Sequence, residues 1–393
     1  MQTISEKEQN GMLVSMLLAF FINGFMVQPL GTLIPILKSV YGFSYNVSGI
    51  LLSLQCIGGL ISAVLSGILP LYVGRRTCVR ILSVWMIAAY TIFLFCGGST
   101  ILLCIAFFVT GISKSGNANF ANTVSSTFPK NKVSRIYNIQ HSCFALGSVA
   151  GPAALAVLSD IYPDTGWRIL SVIVIGLCVI QQLIYLNMPL CEIKEEKGSG
   201  IKNADMSFLK KKRFFIAAMI MLLYGALEYG IVGWIVTYFQ DSGALSVRLS
   251  RYMGSFLWLF ILAGRLTGAA VVGKRLPREK ILIIDGVGIL FFFALMYLSK
   301  SPAVILLGLA GLGFFMATVF TSGFAFGSDS IKGNDIGCST LNLFGYVGGI
   351  ISPSIIGFIS ENAGVTAGML FVGVLAVILL AVAITAYRLK DIV

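Results

Sequence analysis

Twelve apolar runs constrain this chain more than any other feature. They lie at about 11–37, 45–69, 79–96, 100–123, 135–158 and 167–188, then at about 213–239, 248–272, 280–298, 302–326, 333–359 and 364–387. A helix needs about 20 apolar residues to cross a bilayer. Backbone N–H and C=O groups cannot stay bare in hydrocarbon, so each run is expected as a helix. A polar stretch at 189–212 separates six runs from six. The expectation is an all-α membrane protein of twelve transmembrane helices in two pseudo-symmetric six-helix bundles. The bundles span 1–190 and 213–393, joined by a linker at 191–212.

Composition agrees. Charged residues make up 11 % of the 393 residues, hydrophobic residues 57 %, and the mean hydropathy is +0.91. A soluble domain carries about 25 % charged residues. A surface this poor in charge cannot face water, which excludes a soluble enzyme and a disordered or fibrous chain. Twelve helices use roughly 240 residues and leave short loops with no large soluble domain.

The net charge of +12 has a membrane explanation that needs no nucleic acid, because cytoplasmic loops concentrate Lys and Arg. With the N-terminus inside, the inner segments hold 21 basic residues and the outer segments 5; the remaining two, Lys114 and Arg265, lie inside helices. Both termini and the linker are therefore expected in the cytoplasm, in a bacterial cytoplasmic membrane. The opening MQTISEKEQN reads as neither a signal nor a transit peptide. The eight cysteines are scattered, without a C-x-x-C pair, and read as small apolar packers. No P-loop, G-x-S-x-G or nucleotide fingerprint is present. No enzyme activity, cofactor or metal site is expected; a proton or sodium ion is the candidate coupling ion.

The halves repeat weakly. Gly74-Arg75-Arg76 follows the second run and Gly273-Lys274-Arg275 follows the eighth, 199 residues on. Gly147, Pro152, Ser159 and Asp160 are matched by Gly348, Pro353, Ser360 and Glu361, 201 residues on. Parallel repeats of this kind are a known transporter plan.

This organisation resembles the major facilitator superfamily. GILPLYVGRR at 67–76 is similar to that family's loop signature in Gly67, Leu69, Gly74, Arg75 and Arg76. Leu71 stands where the family's aspartate belongs and Tyr72 where a basic residue belongs. A narrower resemblance is to the fucose permease-like sugar symporters. It rests on 20–38, on NANFANT at 117–123, on 138–152, on YGALEYGIVGW at 224–234 and on Gly264-Arg265. Two acids of the proton-coupled members are missing here, where Gly31 and Ala118 stand, so their proton mechanism does not transfer. The resemblance implies that the first, fourth, seventh and tenth helices line a cavity in which Lys114 and Glu228 face each other across the halves.

Ionisable groups deep in a membrane are costly and usually functional. Lys114 and Glu228 both fall near mid-helix, and they are the candidate coupling pair, with Glu228 taking a proton or helping to hold sodium. A static bridge, or satisfaction of each group within its own half, is the structural alternative. Asn23, Gln28, Gln55, Lys114, Asn117, Asn122, Tyr224 and Trp258 are the candidate solute contacts. Amides offer donors and acceptors to hydroxyls, and aromatic faces suit a sugar ring; each amide could equally link helices. Gly74, Arg75, Arg76, His141, Arg265 and Asp285 are candidate gating residues, with Arg265 paired to Asp285. As a set they point to import of a small sugar or sugar acid by a monomeric secondary transporter, through symport. The alternatives are drug efflux and a transporter-shaped sensor. Gly147-x-x-x-Gly151-Pro152 also resembles the fifth-helix motif of drug/proton antiporters, without its following glycine pair.

Overall fold

The computed structural model describes residues 6–126, 128, 130–188, 207–271, 276–331 and 335–389. The chain divides into two compact units, Met1–Lys194 and Glu195–Val393. Most of the expected linker, 191–206, lies outside the described residues, as do 273–275 of the second basic turn.

The first unit contains α1 (Glu6–Val27), α2 (Pro29–Tyr41), α3 (Tyr45–Ile68), α4 (Pro70–Val73), α5 (Arg75–Phe95), α6 (Thr100–Ser126), α7 (Lys130–Ile161) and α8 (Gly166–Asn187). The second contains α9 (Lys212–Asp241), α10 (Val247–Arg251), α11 (Met253–Val271), α12 (Arg278–Leu298), α13 (Pro302–Met316), α14 (Val319–Ile331), α15 (Asp335–Ala363) and α16 (Val365–Leu389). Among the described residues, eleven helical stretches are long and apolar enough to cross a membrane, and Met253–Gly268 is a shorter apolar helix. That makes an all-α, multi-pass membrane fold.

Two stretches are interrupted. Asn10–Tyr41 runs through α1 and α2, which part at Gln28, before Pro29. Proline has no N–H to give the preceding turn. Pro302–Ser328 runs through α13 and α14, which part at Ala317 and Thr318 without a proline. There the ladder tightens, with Ala317 N–H donating to the Phe314 carbonyl at 3.4 Å.

Within each unit the closest helix pairs touch backbone to backbone. A Cβ on Gly147 of α7 would run into the Phe21 carbonyl of α1, and one on Gly24 into the Phe144 carbonyl. In the second unit a Cβ on Gly348 of α15 would meet the Leu222 carbonyl of α9, and one on Gly225 the Gly345 carbonyl. All four positions correspond 201 residues apart (21 and 222, 24 and 225, 144 and 345, 147 and 348). A second register links α3 with α6 and α11 with α13. Gly58 abuts the Phe108 carbonyl and Gly264 the Phe314 carbonyl, each 206 residues apart (58 and 264, 108 and 314). The repeat is therefore one of contacts as well as of residue types. Small residues matter here because hydrocarbon gives helices no hydrophobic reason to associate, and close packing must do it.

Gly147→Leu and Gly348→Leu should each force these backbones apart. Overpacking costs about 1–3 kcal/mol, or more where backbone must move. Both variants should lose several degrees of thermal stability in detergent by about the same amount. Gly67→Ala, with nothing near the added methyl, should not; equal behaviour of all three would contradict the packing described.

Candidate functional site

In the first unit, Lys114 lies near the middle of α6. Asn23 of α1 donates from Nδ2 to the Lys114 carbonyl at 3.2 Å, while its own Oδ1 is buried without a hydrogen-bond partner. Gln55 of α3 is buried, and its Nε2 is also without a hydrogen-bond partner. Gln28 is buried at the break between α1 and α2.

The two candidate amides of α6 are bonded to neighbouring helices. Asn117 accepts from the Tyr185 hydroxyl at 2.7 Å through Oδ1, and its Nδ2 reaches Ser113 Oγ at 3.5 Å. It is fully buried and ties α6 to α8. Asn122 accepts from Gln140 Nε2 at 2.8 Å, and Gln140 also takes the Ser125 hydroxyl. Gln140 joins α6 to α7 and was not among the sequence candidates. Its place directly before His141 was the available signal, since an amide inside a long apolar run needs a partner.

Among the candidate gating residues, Gly74 has φ 76° and ψ 158° at the head of α5, a conformation that favours glycine. Arg76 Nη2 donates to the Met188 carbonyl at 2.7 Å, fastening that turn to the end of α8. Arg75 is half-buried. His141 is exposed, and its ring stands edge-on to Phe20 at 5.8 Å.

In the second unit Tyr224 and Glu228 sit one turn apart on α9, near its middle. The Tyr224 hydroxyl interacts with both the Glu228 carboxylate and the Arg265 guanidinium. Arg265 also lies 5.6 Å from the centre of the Trp258 ring on its own helix, α11. Tyr224 and Trp258 are buried, while Glu228 and Arg265 are half-buried. A cation and an anion thus share one phenol inside a single unit. The expected partner of Arg265 was Asp285. Instead Asp285 Oδ2 accepts from Thr318 Oγ1 at 2.6 Å, and Arg265 turns to Tyr224. Spacing along α11 and α12 could not show this, because the choice depends on which way each helix is rotated. Lys114 and Glu228 stand in different units.

The repeat registers place these groups. Asn23 corresponds to Tyr224 (201 apart) and Lys114 to Phe320 (206 apart). Asn23 bonds to the Lys114 main chain, and the Tyr224 ring packs on Phe320 at 5.7 Å. The same two positions meet in both units with different chemistry. Arg265 corresponds to Gly59 and Glu228 to Val27, so the charged group around Tyr224 has no counterpart in the first unit.

The sequence profile of the Major Facilitator Superfamily matches residues 16–340. The membrane protein MosC of Rhizobium meliloti is 22 % identical over 361 residues, 91 % of this chain and 86 % of that protein. A candidate glucose/galactose transporter of Helicobacter pylori is 24 % identical over 188 residues, 48 % of this chain and 46 % of that one. The cis,cis-muconate transport protein of Acinetobacter baylyi is 24 % identical over 231 residues, 54 % of each. Among solved structures, a bacterial homologue of the human lysosomal transporter Spinster, inward-facing and occupied, superposes with a TM-score of 0.77 at 16 % identity over 99 % of both chains. The nucleoside transporter NupG superposes with a TM-score of 0.73 at 17 % identity, over 97 % of this chain and 100 % of that one.

Asn117→Ala would leave the Tyr185 hydroxyl buried without its acceptor, a loss of about 1–3 kcal/mol. The melting temperature should fall. Adding Tyr185→Phe should recover part of the loss, because the stranded hydroxyl is then gone. A double variant as unstable as the sum of the singles would show that the two groups do not interact.

Proposed function

Since the chain belongs to the Major Facilitator Superfamily, we propose that it is a secondary active transporter that moves a small polar, sugar-like solute inward by alternating access, as a cation-coupled symporter. The observation that carries this reading is the Tyr224 hydroxyl shared by Glu228 and Arg265 inside membrane-spanning helices. Charged groups at that depth are retained where they serve transport. A phenol held between an acid and a base presents the hydrogen bonds that a solute hydroxyl or carboxylate can exchange with. Trp258, beside Arg265, adds an aromatic surface of the kind sugars stack on.

In the first unit, Asn23 Oδ1 and Gln55 Nε2 have spare acceptor and donor capacity, and Lys114 supplies a cation that suits a sugar acid. Gln28 and Asn122 complete the polar set. Asn117 contributes by fixing α6 rather than by touching solute. The fucose permease-like resemblance and two relatives named for glucose/galactose and cis,cis-muconate transport favour the same class: small, hydroxylated or carboxylated solutes. The basic loops support an orientation with both termini in the cytoplasm. The Gly74-Arg75-Arg76 turn, tied by Arg76 to α8, supports a gating role at that end.

The test is uptake by proteoliposomes of labelled D-glucose, D-galactose, D-glucuronate and cis,cis-muconate, under imposed proton or sodium gradients. At least one should accumulate uphill. Arg265→Gln and Glu228→Gln should each lower kcat/KM about tenfold to hundredfold, as expected for loss of a hydrogen bond to a charged group. Transport of none of them, with gradient-driven extrusion of a lipophilic cation such as ethidium, would favour drug efflux instead.

A further inference from the structure

Three carboxylates of the second unit occupy contrasting settings. Glu228 shares the Tyr224 hydroxyl with Arg265. Glu279 is ion-paired with Arg213 at 3.4 Å and Arg278 at 3.5 Å. Asp285 is 4 % exposed, and its hydrogen bond is the one from Thr318 Oγ1 at 2.6 Å.

Among the described residues, the elements around Asp285 bring it no cation. On α12 itself, Arg278, Glu279 and Lys280 lie five to seven residues earlier and Tyr297 twelve later. The helices packed most closely against α12 are α13, α14 and α16; α9 reaches it at Tyr297 through Tyr238 and at Glu279 through Arg213, whose ion pair lies six residues before Asp285. α13 has no titratable residue. α14 has Asp329, eleven residues beyond Thr318. α16 has Tyr387 and Arg388 in its last turn, seven and eight residues beyond Leu380, which packs at the level of Gly286. A charge taken out of water is costly unless a cation or several donors offset it. Glu228 and Glu279 have such partners, and Asp285 has one hydroxyl.

The position matters as much as the burial. Thr318 forms the break between α13 and α14, and its carbonyl receives the Thr321 hydroxyl at 3.1 Å. Ser322, one turn on, keeps a buried hydroxyl without a hydrogen-bond partner, so the break has spare polar capacity for rearrangement. Two residues beyond Thr318, Phe320 packs on Tyr224. The far end of α14 is clamped: Lys211 Nζ donates to the Ser330 carbonyl at 2.8 Å, Arg213 Nε to the Phe326 carbonyl at 2.9 Å, and Arg278 to the Ala325 carbonyl. Cations suit the carbonyl end of a helix. So α14 is fixed at one end and held at the other by the bond to Asp285.

We propose that Asp285 is the proton-binding site of the transport cycle, and that α14 conveys its protonation through Phe320 to Tyr224. The carboxylate takes one proton from water on one side of the membrane and returns it on the other. Once protonated it is itself a donor. The Thr318 hydroxyl then meets a neutral group, so its bond loses the charge-assisted part of its strength or reverses to accept from the carboxyl, which loosens the α13–α14 break. A proton fits better than sodium because, among the described residues, the carboxylate's side-chain partner is the single Thr318 hydroxyl, whereas sodium sites at helix breaks also draw on unwound carbonyls. The coupling role rests on the transport reading above; the proton site itself does not.

Two measurements separate them. Infrared pH titration of the full-length protein in lipid, with no solute, should show the C=O stretch of a protonated carboxyl. That band should vanish in Asp285→Asn and persist in Glu228→Gln. Uptake of D-galactose and D-glucuronate in proteoliposomes should show half-saturation changing by up to about tenfold per pH unit where one proton is linked to binding. Asp285→Asn should flatten that profile to within about twofold. Thr318→Val, which removes the donor to the charged form, should move it to higher pH, and Thr318→Ser should restore it. A carboxyl band that survives in Asp285→Asn, or a pH profile unchanged in that variant, overturns the proposal. Uptake driven by sodium alone at fixed pH overturns it as well. Failure of both sugars to be transported counts against the solute class and leaves the infrared result to decide the site.

Discussion

A membrane interior offers polar groups no water, and the placement of the polar side chains follows from that. A polar side chain there turns to the helices around it, and those with unmatched atoms, such as Asn23 and Gln55, stand out. In the second unit the result is the shared hydroxyl of Tyr224, with Glu228 one turn along the same helix and Arg265 brought in from α11. The anion and the cation offset each other without leaving their unit. Such a pair is weak evidence for stability, because desolvation of two charges offsets their attraction. On the proposed transport function, its place at mid-helix offers hydrogen bonds for which a solute can compete.

The two units show how one scaffold can carry two chemistries. Glycines hold α1 against α7 and α9 against α15 by the same backbone contacts, and α3 against α6 and α11 against α13 by a second set. On that frame Asn23 and Tyr224 are equivalent, yet one meets the main chain of Lys114 and the other meets Phe320, Glu228 and Arg265. The packing is duplicated and the charge is not.

Much of the fold was legible in the sequence, because hydrocarbon leaves an apolar run little choice but helix. The 201-residue register was legible too, since Gly147 and Gly348 keep the same residue type under a strong packing constraint. The 206-residue register was not. Gly58 and Gly264 sit among many glycines, and only contact with the Phe108 and Phe314 carbonyls distinguishes them. The candidate site was legible as a set of residue types but not as a set of partners. Asn117 and Asn122 lie on the same helix, but one turns to Tyr185 and the other to Gln140. Mid-helix depth and the family resemblance suggested Lys114 for Glu228, and position near the inner mouth suggested Asp285 for Arg265. Helix rotation decided otherwise for Arg265, because α11 presents it to Tyr224 while α12 presents Asp285 to Thr318.

The most direct test of the account is a double-mutant cycle on Glu228 and Arg265, read by solute exchange in proteoliposomes. If both act through the Tyr224 hydroxyl, Glu228→Gln and Arg265→Gln together should be no worse than the poorer single variant, giving a coupling of about 1–3 kcal/mol. If the two losses multiply, the groups act independently and the shared-hydroxyl site is wrong.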